Sequence, residues 1–142
     1  MSAGAFEVVK TAVSEMTFVQ VAMQPGRPQG FAADPLMFGL PGNPVSAAVS
    51  FEVFVRPALL AMQGRTRIHR RMLPLAAAVG WRSPRERRQY VPIVLTDEGV
   101  APATERGSHR AGGLARAEGY AVVAAEVDTV AAGDIVDVML VS

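Results

Sequence analysis

Three observations predict an α/β half followed by a small β half. An apolar run, Leu36 to Leu40, stops at Pro41-Gly42-Asn43-Pro44, and a long amphipathic run begins at Val45: strand, turn, helix. After Gly64 the helical spacing ends, and short β-branched runs alternate with Gly, Pro and Asp. The first half also holds too few strands for a complete α/β sheet, which usually has about five or more.

Phe6 to Met16 reads as a helix, with Val9, Val13 and Met16 on one stripe and Glu7, Lys10 and Glu15 elsewhere. Phe18 to Met23 is β-branched and apolar, and reads as a strand. Gln24 to Gly30, with two prolines and two glycines, reads as a rigid loop. Leu36 to Leu40 is apolar throughout, which suggests a strand covered on both faces, as in a parallel sheet. Val45 to Met62 reads as a long helix with Val45, Val49 and Val53 in one stripe. Pro57 should kink or restart it, and Gly64 should end it. Beyond the basic stretch Arg65 to Arg71, strands are expected at Met72–Val79, Gln89–Leu95, Tyr120–Glu126 and Ile135–Val141, with a short helix near Ala111 to Glu118. The boundary falls near Gly64, giving units 1–64 and 65–142.

Composition excludes several classes. There is no cysteine, so disulfides and thiolate metal sites are out, and an intracellular, cytoplasmic protein is the easier reading. The uninterrupted apolar stretches, such as Leu73 to Trp81, are too short to span a bilayer. Glu7 and Lys10 interrupt the N-terminus before any signal-like apolar region forms. The net charge is only +1, yet eight of the fourteen basic residues lie between Arg65 and Arg88. A solvated basic linker accounts for most of them. Nucleic acid is disfavoured by the near-neutral charge and by the lack of an aromatic stacking platform.

The Pro41–Ser46 turn is a candidate anion site. Free N–H groups at a helix N-terminus favour negative charge. Gly42 admits close backbone approach, and Asn43 and Ser46 bring polar side chains. An ordinary strand-to-helix connection has the same composition. From the incomplete sheet, either a partner covers it or an N-terminal part is missing.

Several segments together resemble one family. They are Ser2–Lys10, Met23-Gln24-Pro25-Gly26-Arg27-Pro28, Gly39–Ser46, Phe51–Leu59, Gly107-Ser108-His109, Leu114–Ala117 and Ala132–Val138. In order and spacing they resemble the C-terminal third of the molybdopterin molybdenumtransferases, the MoeA and gephyrin E-domain family. The resemblance implies the second half of a MogA-like molybdopterin-binding α/β domain, followed by a small β-barrel-like C-terminal domain. It implies insertion of molybdate into adenylylated molybdopterin, Mg²⁺ dependence and AMP release. It also implies a homodimer, and further N-terminal domains absent from this sequence.

The same resemblance suggests site residues. Gly42, Asn43 and Ser46 lie on the family's Pro-Gly-Asn-Pro-x-Ser loop; Ser46 is either a ligand contact or a first-turn helix residue. Pro25, Gly26 and Arg27 lie on a loop where relatives usually carry Lys-Pro-Gly-Lys-Pro. Arg27 keeps a charge there, and Gln24 removes one. Ala5 stands at a usual aspartate position. Glu7 either substitutes in part or is an ordinary first-turn acid. Ser108 matches the Gly-Ser-His segment associated with molybdate, and Arg87, ahead of Arg88, is its best-matched arginine. His109 reads first as a structural histidine. The candidate catalytic set is Arg27, Ser46 and Glu7. The candidate binding set is Pro25, Gly26, Gly42, Asn43, Ser46, Arg87 and Ser108, with no protein metal ligand. Two functions compete: a molybdenum insertase holding molybdate between the Pro-Gly-Asn-Pro loop and the β domain, or a noncatalytic binding or dimer-assembly fragment.

Overall fold

A computed structural model describes residues 15–103, 114 and 116–141. They form two compact units. One comprises the chain to Val21 and Gly26–Ile68; the other comprises Ala22–Pro25 and the chain from His69 onward.

The first unit is a three-stranded antiparallel sheet and a helix. Strand β1 (Thr17–Gln20) ends earlier than the apolar run suggests, because the Val21 N–H turns to donate to the Arg27 carbonyl (2.7 Å). Strand β2 (Met23–Gln24) leaves this sheet altogether and joins the second unit. The expected Phe18–Met23 strand is therefore two strands in two sheets. Strand β3 (Pro28–Ala33) begins inside the expected loop, with proline as first residue, a position where its missing N–H is tolerated. Strand β4 (Leu36–Gly39) pairs antiparallel with β3, aligning Phe31 with Phe38 and Gly30 with Gly39, in the sheet order β1-β3-β4. This corrects the parallel expectation. Only Asp34 and Pro35 separate β3 from β4, and a parallel crossover needs about a dozen residues or more. The Phe31 and Phe38 rings meet edge to face at 5.5 Å.

The helix runs unbroken over Pro44–Met62. It consists of α1 (Pro44–Ser50), a π-helical segment Phe51–Val55 and α2 (Arg56–Met62). Proline lacks an N–H, and its ring crowds the carbonyl four residues earlier. The ladder widens just before Pro57, where Arg56 N–H bonds to the Phe51 carbonyl, so the helix passes Pro57 with one wide turn. Gly64, at φ 75°, closes the helix. Its N–H bonds to Ala61 and the Arg65 N–H to Leu60, the paired Schellman bonds that use the last carbonyls.

By length and composition this helix, with mean hydropathy 1.5, reaches what a bilayer crossing needs, which corrects the reading from uninterrupted runs. One such helix does not establish a span, since core helices of soluble proteins pass the same measure. It carries an Arg56–Glu52 pair at 3.8 Å. The helix of Phe6 to Met16 lies outside the described residues except for Glu15 and Met16, which are not helical.

The second unit is a curled sheet. Its strands are β5 (Met72–Ala76), β6 (Trp81–Arg82), β7 (Arg88–Thr96), β8 (Gly99–Pro102), β9 (Gly119–Val123), β10 (Thr129–Val130) and β11 (Ile135–Leu140). The main order is β2-β7-β9-β11-β5, with β8 also on β7, while β6 and β10 form a separate pair. The sheet curls until Ala77, just past β5, bridges Val100 on β8. One bridge is not a ladder, so the expected barrel-like domain is not a closed barrel. Ile93, Val100, Ala121 and Val138 are fully buried inside, against Trp81, Val91 and Leu140. Along β11, Val136 and Val138 point in, and Ile135 and Asp137 point out.

Pro92 sits inside β7 without breaking it. Its carbonyl accepts from Ala103 N–H, so its nitrogen faces the side where pairing with β8 ends at Ile93. The expected short helix near Ala111 falls largely outside the described residues.

Candidate functional site

The Pro-Gly-Asn-Pro turn is built as a helix cap. Asn43 is the N-cap, and its Oδ1 accepts from Val45 N (3.1 Å) and Ser46 N (3.2 Å). Pro44 has no N–H, and the Ala47 N–H bonds to the Asn43 carbonyl. Every first-turn donor is thus occupied, which corrects the expectation of free helix N–H groups. Ser46 is buried, and its Oγ lies 3.4 Å from Asn43 Oδ1, so its hydroxyl faces the cap. What the turn offers outward is the exposed Gly42–Asn43 backbone and Asn43 Nδ2, which has no partner among the described residues. A Cβ built on Gly42 meets nothing within 4 Å, and its φ is not left-handed. The described chain therefore leaves open space at Gly42 for a ligand to approach.

The Pro25-Gly26-Arg27 turn is fixed more firmly. The Gln24–Pro25 bond is cis, and Gly26, at φ 93°, occupies a left-handed conformation that side chains disfavour. Gln29 Nε2 donates to the Gly26 carbonyl at 2.6 Å and to Ser50 Oγ at 2.6 Å. With Val21 N–H on the Arg27 carbonyl, both carbonyls flanking the Arg27 Cα are held. The Arg27 side chain is exposed. Sequence reasoning missed Gln29 and Ser50. A lone amide between two glycines carries no periodic signal, and its partner lies twenty-one residues away.

Arg87 precedes β7. Strand β2 pairs parallel with the start of β7, Met23 beside Arg88 and Gln24 beside Gln89, and the Arg88 N–H bonds to the Ala22 carbonyl. In this parallel register Arg87 lies just before the start of the strand pair and Pro25 just past its end. Glu86 beside Arg87 has φ 64°, a costly conformation for a residue with a Cβ. Arg85 reaches Asp128 Oδ2 through Nε (2.9 Å) and an Nη (2.6 Å), which holds the Asp128 carboxyl below its usual range. Arg85 is thus paired rather than simply solvated. Glu7, Ser108, Ala5 and His109 lie outside the described residues.

Magnesium has no evident seat among the described residues. The described residues contain no group of three or more His, Cys, Asp or Glu able to hold a metal ion.

Comparison with known proteins separates the two halves of the chain. Residues 2–61 match the probable molybdopterin binding domain, and residues 74–141 match the MoeA C-terminal region, domain IV. The chain belongs to the MoeA family. Its fold is a MogA-like molybdopterin-binding domain plus a MoeA C-terminal domain. Molybdopterin molybdenumtransferase 2 of Mycobacterium tuberculosis is 40% identical over 94% of this chain and 36% of its own length. The Synechococcus elongatus molybdopterin molybdenumtransferase is 36% identical over 85% of this chain and 30% of its own length. A MoeA protein structure from Pyrococcus horikoshii superposes with TM-score 0.80 at 27% identity, covering 98% of this chain and 35% of the other. This MoeA-family chain thus spans about a third of the length of these relatives.

Proposed function

We propose that this chain acts in molybdenum cofactor biosynthesis, as the C-terminal portion of an enzyme that inserts molybdate into adenylylated molybdopterin and releases AMP. The observation that carries this reading is family membership across both halves, in the order found in proteins named molybdopterin molybdenumtransferase.

In this reading the exposed Arg27 guanidinium holds an oxyanion through its flat two-pronged face, on a turn whose backbone is already fixed. Gly42 lets the pterin or its phosphate approach the backbone, and Asn43 Nδ2 donates to it. Pro25 and Gly26 shape the Arg27 turn. Arg87 and Ser108 hold molybdate, Glu7 supplies an acid, and Ser46 serves through the cap. The working enzyme is a cytoplasmic homodimer with further N-terminal domains.

A second reading is favoured by the share of the relatives covered and by Ala5 at a usual aspartate position. In it, the chain alone binds substrate or assembles without catalysing. Incubating the 142-residue chain with adenylylated molybdopterin and sodium molybdate, and quantifying AMP, separates the two. AMP release by the chain alone supports catalysis. Molybdate binding without AMP release supports the module. Binding that is unchanged in both Arg27→Ala and Arg87→Ala sinks the residue roles.

A further inference from the structure

The Gly26–Arg27 turn is held by a side chain that none of the assigned roles uses. Gln29 is 8% exposed and Ser50 is fully buried. The amide nitrogen of Gln29 spends both of its hydrogens, on the Gly26 carbonyl and on Ser50 Oγ, each at 2.6 Å. Buried bonds of this kind are costly to break, because each lost donor strands an acceptor away from water. Ser50 is the last residue of α1, the helix that begins at the Asn43 cap. One amide therefore links the Arg27 turn to the helix that carries the Gly42–Asn43 turn.

We infer that Gln29 is a positioning residue: it fixes the Gly26–Arg27 backbone against Ser50, so that Arg27 meets an oxyanion in one orientation. This rests on the proposed role of Arg27. The physical basis is preorganisation. The Gly26 conformation is open to a glycine but is not chosen by it, since glycine visits many states at little cost. With the Gly26 carbonyl held by Gln29 and the Arg27 carbonyl held by Val21 N–H, the Cα of Arg27 has little freedom left. The guanidinium then loses less entropy when it binds.

The test compares Gln29→Met, Ser50→Ala and Arg27→Ala in the full chain. Sodium molybdate is titrated calorimetrically, and backbone amide exchange is followed over residues 24–28. Gln29→Met keeps the side-chain length and removes both donors. Ser50→Ala removes only the helix anchor, and serves if Gln29→Met does not fold. The expected result is faster exchange over 24–28 in both Gln29→Met and Ser50→Ala, with molybdate bound about tenfold more weakly in Gln29→Met and less weakened in Ser50→Ala.

Unchanged exchange in both variants overturns the latch, whatever the titration shows. Faster exchange with unchanged molybdate affinity, while Arg27→Ala binds weakly, overturns the positioning role and leaves the site reading standing. Unchanged affinity in Arg27→Ala removes the site reading instead, independently of Gln29. A purely structural Gln29 would lower the melting temperature and leave molybdate affinity alone.

Discussion

Asn43 Oδ1 stands 3.1 Å from the Val45 N and 3.2 Å from the Ser46 N, so this one oxygen closes the start of the helix while Nδ2 on the same side chain has no partner among the described residues. The two ends of the amide have separable jobs. Asn43→Ala should lose about 1 kcal/mol of stability with the cap. Asn43→Asp keeps the capping oxygen and replaces the outward donor with a negative oxygen. Its unfolding midpoint should stay near wild type while molybdopterin or molybdate affinity falls. Denaturant melts and ligand titrations of both variants check this. An Asn43→Asp protein that binds normally would leave Asn43 a cap and nothing more.

Glu86 lies in the left-handed region at φ 64°. That conformation costs a residue with a Cβ roughly 1–2 kcal/mol, whereas glycine adopts it freely. Glycine also gives the unfolded chain more freedom, which takes back about 0.4–1 kcal/mol. Glu86→Gly should therefore stabilise the β unit by about 0.5–1 kcal/mol, read from urea unfolding. A destabilised variant would mean that the Glu86 side chain makes a contact outweighing the strain.

Gly64 presents the opposite case. At φ 75° it turns the chain so that its own N–H and that of Arg65 make the two bonds that end the helix. Gly64→Ala should cost about 1 kcal/mol and fray the last turn, and Gly64→Asn should cost less. Amide exchange at Arg65 reports the fraying directly, since its N–H bonds to the Leu60 carbonyl. Equal protection in Gly64→Ala and wild type would contradict it.

The Arg85–Asp128 pair gives a pH signature. Its hydrogen bonds and charge hold the Asp128 carboxyl below its ordinary 3.8. The stabilisation is complete above that ordinary value and is lost as pH falls through the lowered one. Both side chains are largely exposed, at 73% and 50%, so salt should weaken the pair. The melting-temperature gap between wild type and Asp128→Asn should be small at neutral pH, shrink in strong acid and shrink further in high salt. A gap that widens on acidification contradicts the assignment.

Sequence alone determined what depends on near neighbours. The helix after Pro44, its end at Gly64 and the β-rich character after Arg71 all follow from local spacing and from Gly, Pro and Asn chemistry. The family resemblance was legible because it rests on short motifs in order. Tertiary structure decided what depends on which distant backbone supplies the next hydrogen bond. It split the apolar run of Phe18 to Met23 between two sheets, because Val21 turns to Arg27 and Ala22 meets Arg88. It turned β4 antiparallel and joined the edges of the second sheet by one isolated bridge, without the ladder of a closed barrel. At the site it used the helix N–H groups on Asn43 and gave Gln29 its two partners. A polar side chain in a sequence shows only that it can bond. The fold selects the partner, because burial makes an unpaired donor too costly to leave.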